Sequence, residues 1–157
     1  MRYMILAVAV LVTLPLLAGT DEGLAAMKDR RYDDAFRELV PAAEGGDTRA
    51  QNGLGILYIN GHGVEKDFET AFSWFERSAR AGFHDAQFQV GIAYLNGIGV
   101  EQDYVQSLAW FLVAKNSGSE TAGEGVGACQ SAMKSKQIDR ANKLAVTLTT
   151  EIAANKR

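Results

Sequence analysis

The stretch AQNGLGILYINGHGVEKDFETAFSWFERSARAG, residues 50–82, is followed at residues 86–118 by AQFQVGIAYLNGIGVEQDYVQSLAWFLVAKNSG. Set 36 positions apart, the two align without a gap. Gly55 falls on Gly91, Tyr58 on Tyr94, Gly61 on Gly97, Gly63 on Gly99, Val64 on Val100 and Asp67 on Asp103. Trp74 falls on Trp110, Phe75 on Phe111 and Gly82 on Gly118. A fixed period of roughly 20–50 residues marks an architecture of stacked repeats, each burying its apolar face on the next.

Each copy reads as a pair of helices. Asp47 is placed to cap a first helix over residues 48–60, in which Ala50, Leu54, Gly55 and Tyr58 sit at packing spacing. A glycine inside a helix costs about 1 kcal/mol against alanine. Its recurrence at Gly55, Gly91 and, one period on, Gly127 therefore predicts a close approach of a second helix at all three. Gly61 with Gly63, and Gly97 with Gly99, suit a turn that needs positive φ. A phosphate-cradling loop does not fit, because these loops follow a helix and lack a lysine–serine/threonine pair. Asp67 and Asp103 are placed to cap the second helices. Those helices carry Phe68, Ala71, Phe72, Trp74, Phe75 and Ala79, then Tyr104, Leu108, Trp110, Phe111 and Ala114, at a spacing that predicts buried core for both tryptophans. Gly82 and Gly118 close them.

The pattern weakens outward. Residues 20–46 read as a degenerate first repeat, with Tyr32, Ala35 and Ala43 matching Phe68, Ala71 and Ala79, and a short loop from Lys28 to Arg31. Residues 47–82 and 83–118 are the full copies, and 119–157 hold a partial repeat and a closing helix. Ala122 matches Ala86, but Gln130 stands where a tyrosine is due, and Cys129 reads as a small buried hydrophobe. From Ser135, a stripe of Ile138, Ala141, Ala145, Leu148 and Ile152 predicts a capping helix. Ahead of all this, residues 1–19 read as a signal peptide, with Arg2, an apolar run from Met4 to Leu17 and small residues at Ala18 and Gly19. An uncleaved N-terminal anchor is the alternative, and the only membrane attachment expected. The chain is thus expected in the periplasm or secreted.

Composition sets further bounds. Of 157 residues, 47% are hydrophobic and 22% charged, as in a folded protein. The net charge of −3 favours neither nucleic acid nor an anionic membrane. From Asp21 to Met133 there are 17 acids against 9 bases; from Lys134 onward there are 6 bases against 2 acids. These blocks read as two differently solvated faces, the alternative being an acidic body suited to a basic partner. A single cysteine excludes an intramolecular disulfide and a four-cysteine zinc site.

Few residues point to chemistry. His62 lies in the first glycine loop, but its counterpart is Ile98; His84 lies beside Asp85 at a helix start. No metal-ligand spacing joins them. Cys129 has no flanking base to activate it, and Glu65 and Glu101 occupy equivalent loop positions, as repeat surface would. No catalytic, cofactor-binding or metal-binding residue is therefore expected.

The string carried by Ala50, Gln51, Leu54, Gly55, Tyr58, Gly61, Gly63, Val64, Asp67, Ala71, Trp74 and Gly82 resembles the Sel-one-like repeat, a relative of the tetratricopeptide repeat. Ala86, Gln87, Val90, Gly91, Tyr94, Gly97, Gly99, Val100, Asp103, Ser107, Trp110 and Gly118 carry it again, with Ser107 for the usual alanine and Lys115 for Ala79 as departures. The resemblance implies an all-α fold, an α/α superhelical solenoid of stacked antiparallel helix pairs, acting as an adaptor or scaffold for other proteins; with the leader-like N-terminus, the expectation is a non-enzymatic adaptor of the bacterial cell envelope. A protein or peptide would lie on the concave face. First-helix positions that differ between copies supply the candidates: Arg49, Asn52, Gly53 and Ile56, then Asp85, Phe88, Gln89 and Ile92. A cell-envelope hydrolase acting on peptidoglycan or a β-lactam is the alternative. Relatives linked to β-lactams carry paired cysteines in every repeat, and this chain has none.

Overall fold

A computed structural model describes residues 16–155. The described residues form eight helices, the first six in antiparallel pairs: α1 (Leu16–Lys28) with α2 (Tyr32–Glu44), α3 (Thr48–Asn60) with α4 (Phe68–Arg80), and α5 (His84–Asn96) with α6 (Tyr104–Asn116). Then come α7 (Ala122–Ala132) and α8 (Ser135–Asn155). Among the described residues there is no strand, and the architecture is an all-α repeat superhelix. Helix α1 begins inside the stretch read as a signal peptide, whose first fifteen residues lie outside the described ones.

The caps act as their side chains suggest. Asp47 accepts hydrogen bonds from the backbone N–H of Arg49 and Ala50, Asp67 from Thr70, and Asp103 from Val105 and Gln106. The Thr70 hydroxyl also donates to Asp67, and these bonds hold that carboxyl below its ordinary range. The ends of α2 to α6 follow one rule. Gly46, Gly61, Gly82, Gly97 and Gly118 take positive φ, and the residue after each donates to a carbonyl five back. This left-handed closure satisfies carbonyls that the last turn leaves free. At the end of α1 the same position is held by Arg30, at φ 59°. A side chain there is strained by about 1–2 kcal/mol. Arg30→Gly is therefore expected to raise stability by up to about 1 kcal/mol, once the entropy of a freer unfolded chain is offset; urea unfolding would measure it, and a loss would show the arginine side chain to be needed.

The repeat glycines make room for the second helices. A methyl built at Gly55 would stand 2.5 Å from the Phe75 ring, and one at Gly91 2.7 Å from Phe111. Two further repeated contacts fix one pair on the next. The buried Gln51 donates its side-chain amide to Ala43 O, and Gln87 to Ala79 O, supplying partners to the last turns of α2 and α4. Tyr58 meets Phe36 edge-on, as Tyr94 meets Phe72. Gln130 breaks that pattern together with Leu108, so both partners of the third aromatic pair are lost at once. Ser107 is accommodated where alanine is usual because its hydroxyl donates to Gly91 O.

The C-terminal end departs from expectation. Helix α8 does not pair with α7; it lies along α6 and reaches α4. Gly127 accordingly has no neighbour within 4 Å of a built methyl, because the second helix that would fill its hollow is elsewhere. The expected close approach at Gly127 is not made. Burial of the tryptophans splits for the same reason. Trp110 shares its core with Ala145, Leu148 and Ile152 of α8 and is 1% exposed. Trp74 has no such cover and is only half-buried, with the Arg77 guanidinium over its ring. Phe68 and Tyr104, expected in the core, are exposed at the first turn of their helices.

Candidate functional site

The first helices line one side of the stack. Helix α1 packs on α3, and α5 on α7, whereas α2, α4 and α6 do not pack on one another to that extent. Contact of α1 with α3 and of α5 with α7 puts these first helices on one side of the stack, the side expected to be the inner face of a solenoid.

On this face the candidates differ in role. Arg49 makes an exposed ion pair with Asp21, 2.9 Å long, which ties α3 to α1. Asn52 is half-buried, and its Oδ1 is shielded from solvent with no hydrogen-bond partner among the described residues. Asp85 is exposed. Ile56 packs against the central core, and Phe88 and Ile92 against the core around Phe111, the Phe88 and Phe111 rings lying 5.5 Å apart. These side chains are therefore not spared from packing, as the differences between copies had implied; each is half-buried, with one edge in the core and one open. Gly53 is a correction. It is buried, and a methyl there would stand 3.0 Å from Leu39, so it admits α2 and α1 rather than facing a partner.

Comparison of copies misses three apolar residues near this group: Ile59, Phe68 and Ile98, which line a shallow crevice with Gln89 and Ile92. The signal was present at Ile98, where the preceding copy has His62. His62 stacks on Tyr32 with ring centroids 4.0 Å apart.

The side chains with chemical potential lie on separate elements. His62 is in the α3–α4 loop, His84 opens α5, and Cys129 is in α7. His84 Nδ1 lies 3.0 Å from Asp85 Oδ1 without hydrogen-bond alignment. Cys129 is buried 3.3 Å from Ser107 Oγ. Because the Ser107 hydroxyl is engaged with Gly91 O, the thiol is the donor to Ser107. Burial raises its pKa, so the folded state favours the protonated thiol over the thiolate. The linked stability is complete below the unfolded-state thiol pKa of about 8.5 and declines as pH rises beyond it. Among the described residues no three His, Cys, Asp or Glu side chains converge to hold a metal ion. None of the described helices is long and apolar enough to cross a membrane.

The model of the family described as Sel1 repeat matches residues 48–83 and 84–119, one match per full copy. Among solved structures, c5321, a protective antigen of uropathogenic Escherichia coli strains with an SLR fold, superposes at a TM-score of 0.85 and 29% identity. That match covers 89% of this chain but 31% of c5321, so the chain spans about a third of its length. A Sel1 repeat protein from Oxalobacter formigenes is 40% identical over 72% of this chain and 95% of its own, with a TM-score of 0.60. Cysteine rich protein B of Helicobacter pylori shares the fold at 22% identity and a TM-score of 0.57, over 69% of this chain and 92% of its own. Among curated proteins there is no significant match.

Proposed function

Because the chain belongs to the Sel1 repeat family, whose fold is typically a protein-interaction module, we propose that it is a non-enzymatic adaptor of the bacterial cell envelope. It binds a protein or peptide on the inner face of α1, α3, α5 and α7. One observation carries this reading. Residues that build the scaffold recur from copy to copy, whereas half-open residues on the inner face differ: Asn52 against Phe88, Arg49 against Asp85. A stack that only filled space would have no reason to vary there. Apolar and aromatic groups dominate interface energetics, so Phe88 and Ile92 are the anchors of this surface. The leader-like residues 1–19 support export to the periplasm or beyond.

The test is cross-linking in intact cells, followed by identification of the neighbours. A Phe88→Ala/Ile92→Ala variant that keeps its helical circular dichroism is expected to lose at least one neighbour captured by the wild type. Retention of all of them would show the binding surface to lie elsewhere.

A further inference from the structure

Three bulky residues occupy matched places in the second helices: Leu39 in α2, Phe75 in α4 and Phe111 in α6. Each faces two first helices, its own and the next. Leu39 lies between Gly23 and Gly53, where built methyls would stand 2.6 and 3.0 Å away. Phe111 lies between Gly91 and Gly125, at 2.7 and 2.8 Å. Phe75 has Gly55 on one side, but the position on the other side, between Gly53 and Gly125 in the period, is Gln89.

Helix α1 packs on α3 and α5 on α7, whereas α3 and α5 do not pack on each other to that extent. Between them lies a shallow crevice lined by Ile59, Phe68, Phe75, Gln89, Ile92 and Ile98. Its enclosed space is only about 10 Å³, but its rim is apolar, with Phe68 exposed and Ile59, Ile92 and Ile98 half-buried, so it offers a surface for one apolar side chain to lie on. The loops beside it are acidic. Glu65, Asp67, Glu69, Glu101 and Asp103 are all exposed, and Lys66 is the one lysine or arginine among residues 61–76 and 97–114. Lys66 is itself held over the Phe68 ring, 5.7 Å from its centroid.

We propose that the α3–α5 crevice anchors an extended basic segment of another protein, laying one aliphatic or aromatic side chain over Phe68, Ile92 and Ile98 while lysines or arginines flanking it face the five carboxylates. This rests on the inner-face reading above and narrows it to one place and one chemistry. Gln89 both props the crevice open and offers its amide to the main chain of the bound segment.

The experiment is selection of a random dodecapeptide display library on the purified full chain, with affinities of selected peptides measured at low and high salt. The expected consensus is a single Leu, Ile, Phe or Met flanked by Lys or Arg, binding more weakly as salt screens the charges. Two variants carry residues that the repeat itself uses at the matched positions, Gln89→Gly and Ile98→His. Each is expected to keep the helical spectrum and to weaken selected peptides at least about tenfold, a loss of about 1.4 kcal/mol. No enrichment, a consensus without basic or apolar residues, or unchanged affinity in both variants overturns the crevice. Loss confined to Phe88→Ala would overturn the crevice and leave the inner face standing. Peptides indifferent to all three substitutions would overturn both.

Discussion

Trp110→Ala is expected to lower the folding free energy by about 3–5 kcal/mol, the range for emptying a buried aromatic site. The same change at Trp74 should cost less than half as much. The two tryptophans are equivalent in the repeat, and α8 makes them unequal. Over Trp110 lie the apolar stripe of α8 and the Arg80 guanidinium, 5.8 Å from the ring. Arg80 in turn reaches Glu151 of α8 at 3.7 Å, an exposed pair that orients more than it stabilises. Removal of the indole leaves a hollow between two helices that can collapse only if α8 shifts. At Trp74 the ring edge already meets water, and Arg77 can settle into the vacated space. Urea unfolding of both variants gives the comparison, and equal losses would mean that α8 does not cover α6 in solution.

A second large effect is expected in the glycine loops, where two neighbouring glycines should respond differently. Gly97 and Gly99 both have φ of 69°. Alanine in that conformation costs about 1–2 kcal/mol at either position. At Gly97 nothing more is added, since the nearest atom to a new methyl is 3.6 Å away. At Gly99 the methyl would run into the carbonyl of Phe68, the first residue of α4. Backbone there cannot swing aside as a side chain can, and overpacking of this kind adds about 1–3 kcal/mol. The thermal midpoint of Gly99→Ala should therefore fall well below that of Gly97→Ala. Coincident midpoints would show that the loop does not dock on the preceding repeat.

Much of the scaffold was legible in the chain because identical residues 36 positions apart imply identical surroundings. The caps at Asp47, Asp67 and Asp103, the left-handed glycines and the helix pairs all follow from that inference. The same inference fails wherever the neighbouring repeat is missing or different. Gly127 keeps the residue of Gly91 but not its partner helix, and Trp74 keeps the residue of Trp110 but not its cover. Phe68 and Tyr104 follow the aromatic period, yet they sit at helix starts on the loop edge, where no later segment closes over them. The candidate face was legible only in part. Differences between copies found Arg49, Asn52, Ile56, Asp85, Phe88, Gln89 and Ile92, but they could not show that Ile56, Phe88 and Ile92 also serve the core. Nor could they separate Gly53, which differs from Gln89 for reasons of packing.

The placement of α8 also bears on how the protein comes apart. In a linear array each repeat touches only its neighbours, so end units can melt one at a time with little effect on the rest. Here one long helix bridges α6 and α4 and gives its apolar residues to two of the three core clusters. Detaching it would bare both at once, so the C-terminal half should open as a single cooperative unit, visible as a shared rate of amide hydrogen exchange across α4, α6 and α8. At the other end, no long helix among the described residues clasps α1 and α2, and these two are expected to open first.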